Sequence, residues 1–149
     1  MLGIGDKLPD FKAINQYGEQ KEAKDYRGKK LIVFFYPKAN TPGCTAEACN
    51  LKDHYETLKQ QGYYLLGVSA DDEKSQRKFS DKYNFPFELL ADTDRVLIDA
   101  FGVWQLKKFM GREFMGILRT TFVFDEHGAC EKVISKVKTK EHAQQLLED

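Results

Sequence analysis

Short apolar runs and amphipathic stretches alternate along the first half of the chain. Leu31–Tyr36 is continuously apolar and Tyr63–Ala70 nearly so, and both runs predict strands that are buried on both faces. Between them, apolar residues recur at positions 44, 48, 51, 55 and 58, a spacing of four and three that is typical of one face of a helix. We therefore expect one long amphipathic helix that starts just before Cys44 and ends at Gly62.

The second half of the chain continues this alternation and then changes to a hairpin. The predicted elements are a helix capped by Asp71 and Asp72 that ends near Tyr83, a weak strand at Phe85–Leu90, a short helix between Asp94 and Gly102, strands at Arg119–Phe124 and Ala129–Val137 joined by a turn at Asp125–Gly128, and a final helix from the cap Thr139 to Leu147. This order is typical of the α/β class, in which helices cover both faces of one sheet and a site lies at the carboxyl ends of its strands.

Length and composition narrow the possible classes of protein. The 149 residues predict a single domain, 1–149, and the 23 basic and 23 acidic side chains leave no excess charge that would favour nucleic acid. The longest apolar run is far too short to span a membrane, and the N-terminal residues lack the pattern of a secretory signal. Three cysteines do not make a disulfide framework. We therefore expect a cytoplasmic protein that binds neither nucleic acid nor a membrane.

Cys44 is the strongest candidate for chemistry because it lies at the predicted start of the first helix. Thr41 suits the N-cap and Pro42 the first helical position, so that Cys44 becomes the third helical residue. Unpaired backbone N–H groups and the positive end of the helix dipole favour a thiolate there. The Thr41 hydroxyl can accept a backbone N–H bond while it donates its own proton to the sulfur. The alternative is a small buried cysteine on the apolar face with no chemical role.

A second thiol, Cys49, lies outside the apolar stripe of the same predicted helix. It is about 140° around the helix from Cys44, beside Lys52 and Asp53, so that a role in filling the core does not explain it. In an intact helix the two Cα atoms are about 8–9 Å apart, beyond the roughly 7 Å limit for a disulfide. A bond between the two sulfurs would therefore require the first turns of the helix to unwind. Cys49 is either a redox partner of Cys44 or an incidental exposed thiol.

Three stretches of the chain resemble one family of thiol enzymes. Pro37-x-x-x-Thr41-x-x-Cys44 is similar to the active-site signature of the peroxiredoxins, and its extension to Cys49 resembles the bacterioferritin-comigratory-protein branch, also called PrxQ. Arg119-Thr120-Thr121-Phe122 resembles that family's arginine strand, and Gly5-Asp6-x-x-Pro9-Asp10-Phe11 resembles its usual opening. The resemblance covers essentially the whole chain. It implies a thioredoxin-like fold, in which helices flank a central mixed β-sheet within a single domain.

The resemblance also implies roles for five residues. Cys44 corresponds to the peroxidatic cysteine and Cys49 to the resolving cysteine. Thr41 and Arg119 correspond to the residues that hydrogen-bond the peroxide and the thiolate, and Pro37 to the proline that shields the sulfur from bulk water. The implied reaction reduces hydrogen peroxide or organic hydroperoxides and leaves a sulfenic acid on Cys44. A Cys44–Cys49 disulfide then forms, and thioredoxin or a similar dithiol reduces it. Neither a cofactor nor a metal is implied.

The implied reaction predicts a role in antioxidant defence and cell redox homeostasis. Because both cysteines lie in one chain, resolution needs no second subunit, which favours a monomer over a dimer. Two other functions stay open on the same fold: a thiol–disulfide oxidoreductase that acts on protein disulfides, and a redox-regulated holdase. The cysteine spacing is not Cys-x-x-Cys, and Thr41 with Arg119 suits an oxyanion better than a peptide, which counts against the oxidoreductase.

The remaining candidate residues are expected to have structural roles. Cys130 is interpreted as a strand residue without redox function, and the three histidines, His142 among them, lack partners at metal-ligand spacing. Glu47 either polarises the site or, as we expect, only favours the helix N-terminus. Residues 102–118 are rich in aromatic, Met and basic side chains, and we interpret them as a loop or irregular strand that covers the core. The alternative is a wall of the peroxide site, or a docking surface for a reductant or second subunit.

Overall fold

A mixed seven-stranded β-sheet lies at the centre of the computed structural model, which describes residues 1–148. The strands are β1 (Lys12–Asn15), β2 (Gln20–Glu22), β3 (Lys30–Phe35), β4 (Tyr63–Ser69), β5 (Glu88–Ala91), β6 (Trp104–Phe109), β7 (Arg112–Ile117), β8 (Thr120–Phe124) and β9 (Cys130–Ile134). The helices are α1 (Pro42–Asp53), α2 (Tyr55–Gln60), α3 (Glu73–Tyr83), α4 (Val96–Phe101) and α5 (His142–Leu147), and a short 3-10 helix covers Ala23–Tyr26.

The strand order of the main sheet is β2-β1-β5-β4-β3-β8-β9, and β6 with β7 forms a separate two-stranded sheet. In the main sheet, β3 is parallel to β4 and β4 is parallel to β5, whereas the other neighbouring strands are antiparallel. This arrangement confirms the predicted mixed sheet and the predicted β8–β9 hairpin. The carboxyl ends of the three parallel strands meet at one edge, and the segment that carries Cys44 follows β3 at this edge.

The two faces of β3 explain why its sequence is apolar throughout. Leu31, Val33 and Phe35 belong to one apolar layer, which also contains the buried side chains of α4. Ile32 and Phe34 belong to the opposite layer, to which α1, α2, α3 and α5 contribute. All five side chains are almost completely inaccessible to solvent. Since successive residues of a strand point to opposite faces, only a continuous apolar run can fill both layers.

Gly67 allows β4 to pack tightly against its neighbours in the second layer. A Cβ atom at this position would lie 2.7 Å from Cδ2 of Leu89 and 2.8 Å from Cζ of Phe34, two side chains that are completely buried. We expect Gly67→Ala to lower the free energy of unfolding by about 1–3 kcal/mol, because the neighbours have no space into which to move. Urea unfolding measures this change. Gly3→Ala is the matched control, since its Cβ would meet only Oδ2 of Asp6 at 3.8 Å; equal losses in both variants would contradict the packing argument.

The prediction of one long helix after Cys44 is wrong, because the helix is interrupted at His54. α1 ends at Asp53 and α2 begins at Tyr55, although the predicted apolar stripe is buried or half-buried in both. His54 Nδ1 lies 3.0 Å from the carbonyl oxygen of Asn50, the acceptor that a continuous helix would offer to the backbone N–H of His54. The backbone N–H of His54 donates to the carbonyl oxygen of Lys52 instead.

Within residues 1–148, none of the helices is long and apolar enough to cross a membrane.

Residues 102–118 form a regular hairpin, β6–β7, where we expected a loop or irregular strand. The two strands are joined at Met110 and Gly111, which both have a positive φ, as a tight hairpin turn of the type I′ class requires. Large apolar side chains on this hairpin are exposed, with Met110 at 87% and Phe109 at 66%. Because the hairpin does not bury one face against the core, its sequence lacks the alternation that predicts a strand.

Several smaller boundaries and elements also differ from the prediction, among them the end of β9, which is at Ile134 and not at Val137. Strand β5 begins at Glu88 and not at Phe85 as expected. Strands β1 and β2 were not predicted. These two strands are only 4 and 3 residues long, and apart from the buried Asn15 their residues are exposed or half-buried, so that they leave no apolar pattern. The last helix begins after Glu141 and not after Thr139. Its first turn is capped from another helix, because Oδ1 of Asn50 accepts a hydrogen bond from the backbone N–H of Ala143.

Candidate active site

The Cys44 thiol lies in the first turn of α1, directly beyond the carboxyl end of β3. Thr41 is the N-cap and Pro42 the first helical residue, so that Cys44 is the third, as the sequence predicts. Its side chain is only 2% exposed and packs within the apolar layer that contains Ala48 and Leu51. The sulfur therefore combines a position at the positive end of a helix with nearly complete exclusion of bulk water.

Arg119 is the cation of this site, brought there by the antiparallel pairing of β3 and β8. Phe35, at the end of β3, pairs with Thr120. Arg119, the residue before Thr120, therefore reaches the first turn of α1. Its Nη2 lies 3.3 Å from Cys44 Sγ. Partial burial disfavours the charged guanidinium, but the charges of Cys44 and Glu47 together hold the pKa of Arg119 above its ordinary value. The guanidinium of Arg119 is therefore a fixed positive charge next to the sulfur of Cys44.

Gly43 leaves the space that the guanidinium of Arg119 occupies. A Cβ atom at this position would lie 3.1 Å from Nη2 of Arg119. The close approach explains why the residue before Cys44 has no side chain. Local sequence patterns do not indicate this constraint, because the arginine that needs the space is far away in the chain.

Glu47 is the second partner of Arg119 and is completely buried. Its Oε1 accepts a hydrogen bond of 2.7 Å from Nη1 of Arg119. Burial raises the pKa of Glu47 to about 7, although the charge of Arg119 and its hydrogen bond oppose this shift. The expectation that Glu47 only favours the helix N-terminus is wrong, because the side chain points inward. Its position three residues after Cys44, on the same helix face, was the signal in the sequence.

His142 reaches the same buried carboxyl group from α5. Its Nε2 lies 3.6 Å from Oε2 of Glu47 and 2.8 Å from Oγ1 of Thr121, and its Nδ1 lies 2.8 Å from Oε1 of Gln145. Burial lowers the pKa of His142 to about 4, against the effect of the hydrogen bond to Gln145. The sequence predicted only a structural role for His142, without partners at metal-ligand spacing. No spacing in the sequence connects it to Glu47, since the contact depends on how α5 packs on α1.

Thr41 and Pro37 belong to the loop that joins β3 to α1. The Thr41 hydroxyl donates a 2.7 Å hydrogen bond to the carbonyl oxygen of Lys38, and it caps no backbone N–H of the helix. This corrects the expectation that the hydroxyl caps the helix and donates to the sulfur. Pro37 is half-buried at the start of the loop. Asp71, which follows the end of β4, fixes this loop: its Oδ2 accepts a 2.7 Å hydrogen bond from the backbone N–H of Ala39.

Cys49 lies in the intact part of α1 as a free thiol, as does Cys44. It is half-buried and packs against the apolar layer, so that the expectation that Cys49 lies outside the apolar stripe is only partly correct. Burial raises the pKa of the Cys49 thiol, although Lys52 lowers it and Asp53 raises it further. The two thiols of α1 thus lie in different surroundings, and only Cys44 has a cation within contact distance of its sulfur.

Cys130 lies outside this site, at the start of β9. It is buried, with Sγ 3.5 Å from the carbonyl oxygen of Lys132, and burial raises the pKa of its thiol. Among the described residues, no group of three or more His, Cys, Asp or Glu side chains is arranged to hold a metal ion. The chemistry that the arrangement offers is therefore that of a buried sulfur nucleophile beside a guanidinium, at the carboxyl edge of a mixed sheet.

Comparison with known proteins gives the class that this fold and site define. Residues 4–133 match the model of the AhpC/TSA family, and the chain belongs to that family. It is 43% identical over 147 residues to peroxiredoxin Bcp of Bacillus subtilis (strain 168), a match that covers 99% of this chain and 94% of the relative. It is 41% identical over 146 residues to peroxiredoxin Bcp of Escherichia coli (strain K12), with 98% and 94% covered.

Solved structures agree with one branch of the family. The chain matches a cysteine-to-serine variant of PrxQ from Xylella fastidiosa with a TM-score of 0.92 and 31% identity, over 99% of this chain and 94% of that one. It matches the bacterioferritin comigratory protein of Xanthomonas campestris, studied for its alkyl peroxide reduction activity, with a TM-score of 0.86 and 34% identity, over 92% and 87%. The resemblance to the peroxiredoxins of the bacterioferritin-comigratory (PrxQ) branch is thus confirmed, as are the thioredoxin-like fold and the thiol peroxidase class.

Proposed function

We propose that this chain reduces hydrogen peroxide and organic hydroperoxides at Cys44, with Cys49 as the resolving thiol. The observation that carries the proposal is the 3.3 Å contact between Nη2 of Arg119 and Sγ of Cys44, in a site that is nearly closed to water. A cation at this distance favours the thiolate, which is the nucleophilic form of cysteine. The alkyl peroxide reduction studied in the Xanthomonas campestris relative supports the inclusion of organic hydroperoxides.

The first step is attack of the Cys44 thiolate on one oxygen of the hydroperoxide. An S–O bond forms and the O–O bond breaks. The departing oxygen takes up the proton of the hydroperoxide and leaves as water or an alcohol, and the sulfenate on Cys44 takes up a proton from water to become the sulfenic acid. Arg119 stabilises the negative charge as it moves from sulfur to the departing oxygen. The Thr41 hydroxyl, which donates to Lys38, keeps its lone pairs free to accept the O–H of the hydroperoxide. Pro37 limits the access of water to the sulfur from the loop.

The second step joins Cys49 to the Cys44 sulfenic acid and releases water. α1 is continuous from Pro42 to Asp53, so that its first turns must unwind before the two sulfurs meet. The raised pKa of the Cys49 thiol suits a residue that reacts only after this change, because it stays protonated in the folded helix. An external dithiol of the thioredoxin type then reduces the disulfide. With both thiols in one chain, we propose a monomer, and a cytoplasmic location in which such reductants act.

Rapid mixing of the reduced protein with hydrogen peroxide tests the first step. The sulfenic acid should form much faster than with a free thiol, and peptide mapping after one equivalent of peroxide should find the Cys44–Cys49 disulfide. Cys49→Ser should still react with one equivalent but should stop turning over with thioredoxin and its reductase. Cys130→Ser is the matched control, because its thiol lies outside the site, and it should turn over like the unmodified protein.

The results separate the proposed function from its alternatives. A peroxide rate no faster than that of a free thiol would exclude the peroxidase and leave the protein-disulfide oxidoreductase or the redox-regulated holdase. Normal recycling of Cys49→Ser would show that another thiol, or the reductant itself, resolves the sulfenic acid.

A further inference from the structure

One oxygen of the buried Glu47 carboxyl group has no hydrogen bond among the residues that the structure describes. Oε1 is bound by Arg119, but Oε2 is inaccessible to solvent and unpartnered. Burial of an ionised oxygen without a partner is costly, so that such a group either takes up a proton or faces a cation. The imidazole of His142 can supply a proton or a charge to this oxygen, since its Nε2 is 3.6 Å away.

The orientation of Gln145 determines which nitrogen of His142 can exchange a proton. Oε1 of Gln145 accepts from the backbone N–H of Lys138 at 3.0 Å, and its Nε2 donates to the carbonyl oxygen of Lys136 at 3.0 Å. The amide oxygen therefore faces His142, and Nδ1 of the imidazole must carry a hydrogen to donate to it. Nε2 is the remaining nitrogen. It is the atom that faces Oγ1 of Thr121 and Oε2 of Glu47.

We propose that Glu47 and His142 hold one proton between them, and that this shared proton keeps the positive charge of Arg119 available to the Cys44 thiolate. His142 is then a positioning residue, since it acts through Glu47 and touches no reacting atom. The inference rests on the proposed role of Cys44 as the reacting thiol. The proton lies on Oε2 of Glu47 or on Nε2 of His142, and a shift of about 0.7 Å brings these atoms to hydrogen-bond distance.

The positive and negative charges around Glu47 are equal in number when the Glu47–His142 pair carries one proton. Arg119 contributes one positive charge, and it binds Glu47 through Nη1 and Cys44 through Nη2. With a proton on the Glu47–His142 pair, the thiolate is the only negative charge in the site. Without it, two negative groups compete for one guanidinium, and the second ionisation is disfavoured. Burial raises the pKa of Glu47 to about 7, so that its carboxyl group carries a proton in part of the molecules near neutral pH, and burial lowers the pKa of His142, which disfavours the imidazolium.

Two lysines complete the charged surroundings of the pair. Lys132 disfavours a charge on His142 and donates to the carbonyl oxygens of Gln145 and Glu148. The pKa of Lys107, from β6, is lowered by burial and by Arg119, although the charge of Cys44 raises it. Neither lysine is within ion-pair distance of Glu47, whose carboxyl group is approached at that distance by Arg119 and His142.

A double-mutant cycle with His142→Asn and Glu47→Gln tests the proposal. Asparagine can keep the hydrogen bond to Gln145 but places no group at the Nε2 position. We expect it to lower the ratio of Cys44 thiolate to thiol at neutral pH by about five- to tenfold, because the protonated carboxyl group of Glu47 then loses its hydrogen-bond acceptor, ionises and competes for Arg119. The thiolate is read from its ultraviolet absorbance, with Cys44→Ser as the blank for the other two thiols. In the Glu47→Gln background, where residue 47 is always neutral, the same substitution should leave the thiolate fraction unchanged.

An unchanged thiolate fraction in His142→Asn would overturn the proposal, as would an equal loss in the Glu47→Gln background. If the histidine variant does not fold, the wild-type protein provides a second test. Infrared spectroscopy detects a protonated carboxyl group that Glu47→Gln removes, and nitrogen chemical shifts detect an imidazolium at His142. A proton on either group supports the proposal, and an ionised Glu47 beside a neutral His142 overturns it. Neither measurement uses peroxide. A result that contradicts the shared proton can therefore be distinguished from a failure of the proposed peroxidase reaction.

Discussion

Replacing Cys44 with serine should abolish peroxide reduction, because a hydroxyl group does not ionise near neutral pH and no other thiol lies beside Arg119. Turnover of hydrogen peroxide, coupled to thioredoxin and its reductase, should fall to the level of the assay without protein. The fold should persist, since serine is close in size to the buried cysteine and the first turn of α1 offers it hydrogen-bond partners. Circular dichroism checks the fold of the variant.

Clear residual turnover in Cys44→Ser would show that another thiol reacts with the peroxide. Cys49 and Cys130 are the candidates, but burial raises the pKa of each, which keeps both thiols protonated and slow to react. The combined variant Cys44→Ser with Cys130→Ser would then identify which of them is responsible.

The second large effect is expected for Arg119→Met, which keeps much of the side-chain volume but removes the guanidinium. We expect kcat/KM for peroxide to fall about 10²–10³-fold, equivalent to about 3–4 kcal/mol of lost transition-state stabilisation. The reason is that Nη2 is the cationic donor at the sulfur, 3.3 Å away, in a site nearly closed to water. Steady-state kinetics with hydrogen peroxide measures the loss. The Glu47 carboxyl group can take up a proton once its cation is gone, so that the fold should tolerate the change.

Arg112→Met is the matched control for this variant. Arg112 is an exposed arginine at the start of β7, and its guanidinium makes none of the hydrogen bonds that converge on Cys44. Its replacement should leave kcat/KM within about twofold, because exposed single charges contribute little. Equal losses in the two variants would show that the general positive charge of this face, and not the contact of Arg119 with the sulfur, promotes the reaction.

Formation of the proposed disulfide has a structural consequence beyond α1. Asn50, the residue after Cys49, binds α5 and the segment before it through its side-chain amide: Oδ1 accepts from the backbone N–H of Ala143 in α5, and Nδ2 donates to the carbonyl oxygen of Lys140, which precedes this helix. Unwinding that extends past Cys49 would break these bonds. The cost of exposing Cys49 to Cys44 therefore includes the packing of the two helices, in addition to the hydrogen bonds of the helix itself.

The elements that the sequence predicts correctly are those with a strong local signal. β3 and β4 are buried on both faces and read as apolar runs, and α3 begins at its cap, Asp72, whose Oδ1 accepts from Ser75. Elements without such a signal were missed. The β6–β7 hairpin exposes its large side chains, and the break at His54 depends on a bond from a side chain to the carbonyl of Asn50.

The sequence by itself determined the class of fold, the position of Cys44 at a helix start and, through its resemblance, the family. Each of these depends on residues close together in the chain, where spacing and capping act directly. The resemblance also implied that Arg119 contacts the thiolate, but only the tertiary structure decided how it does so and what else surrounds the sulfur. The pairing of β3 with β8 brings Arg119 to Cys44, and the packing of α5 on α1 brings His142 to Glu47. Burial makes these contacts matter, because it removes the water that would otherwise solvate each charge and leaves every group dependent on its neighbours.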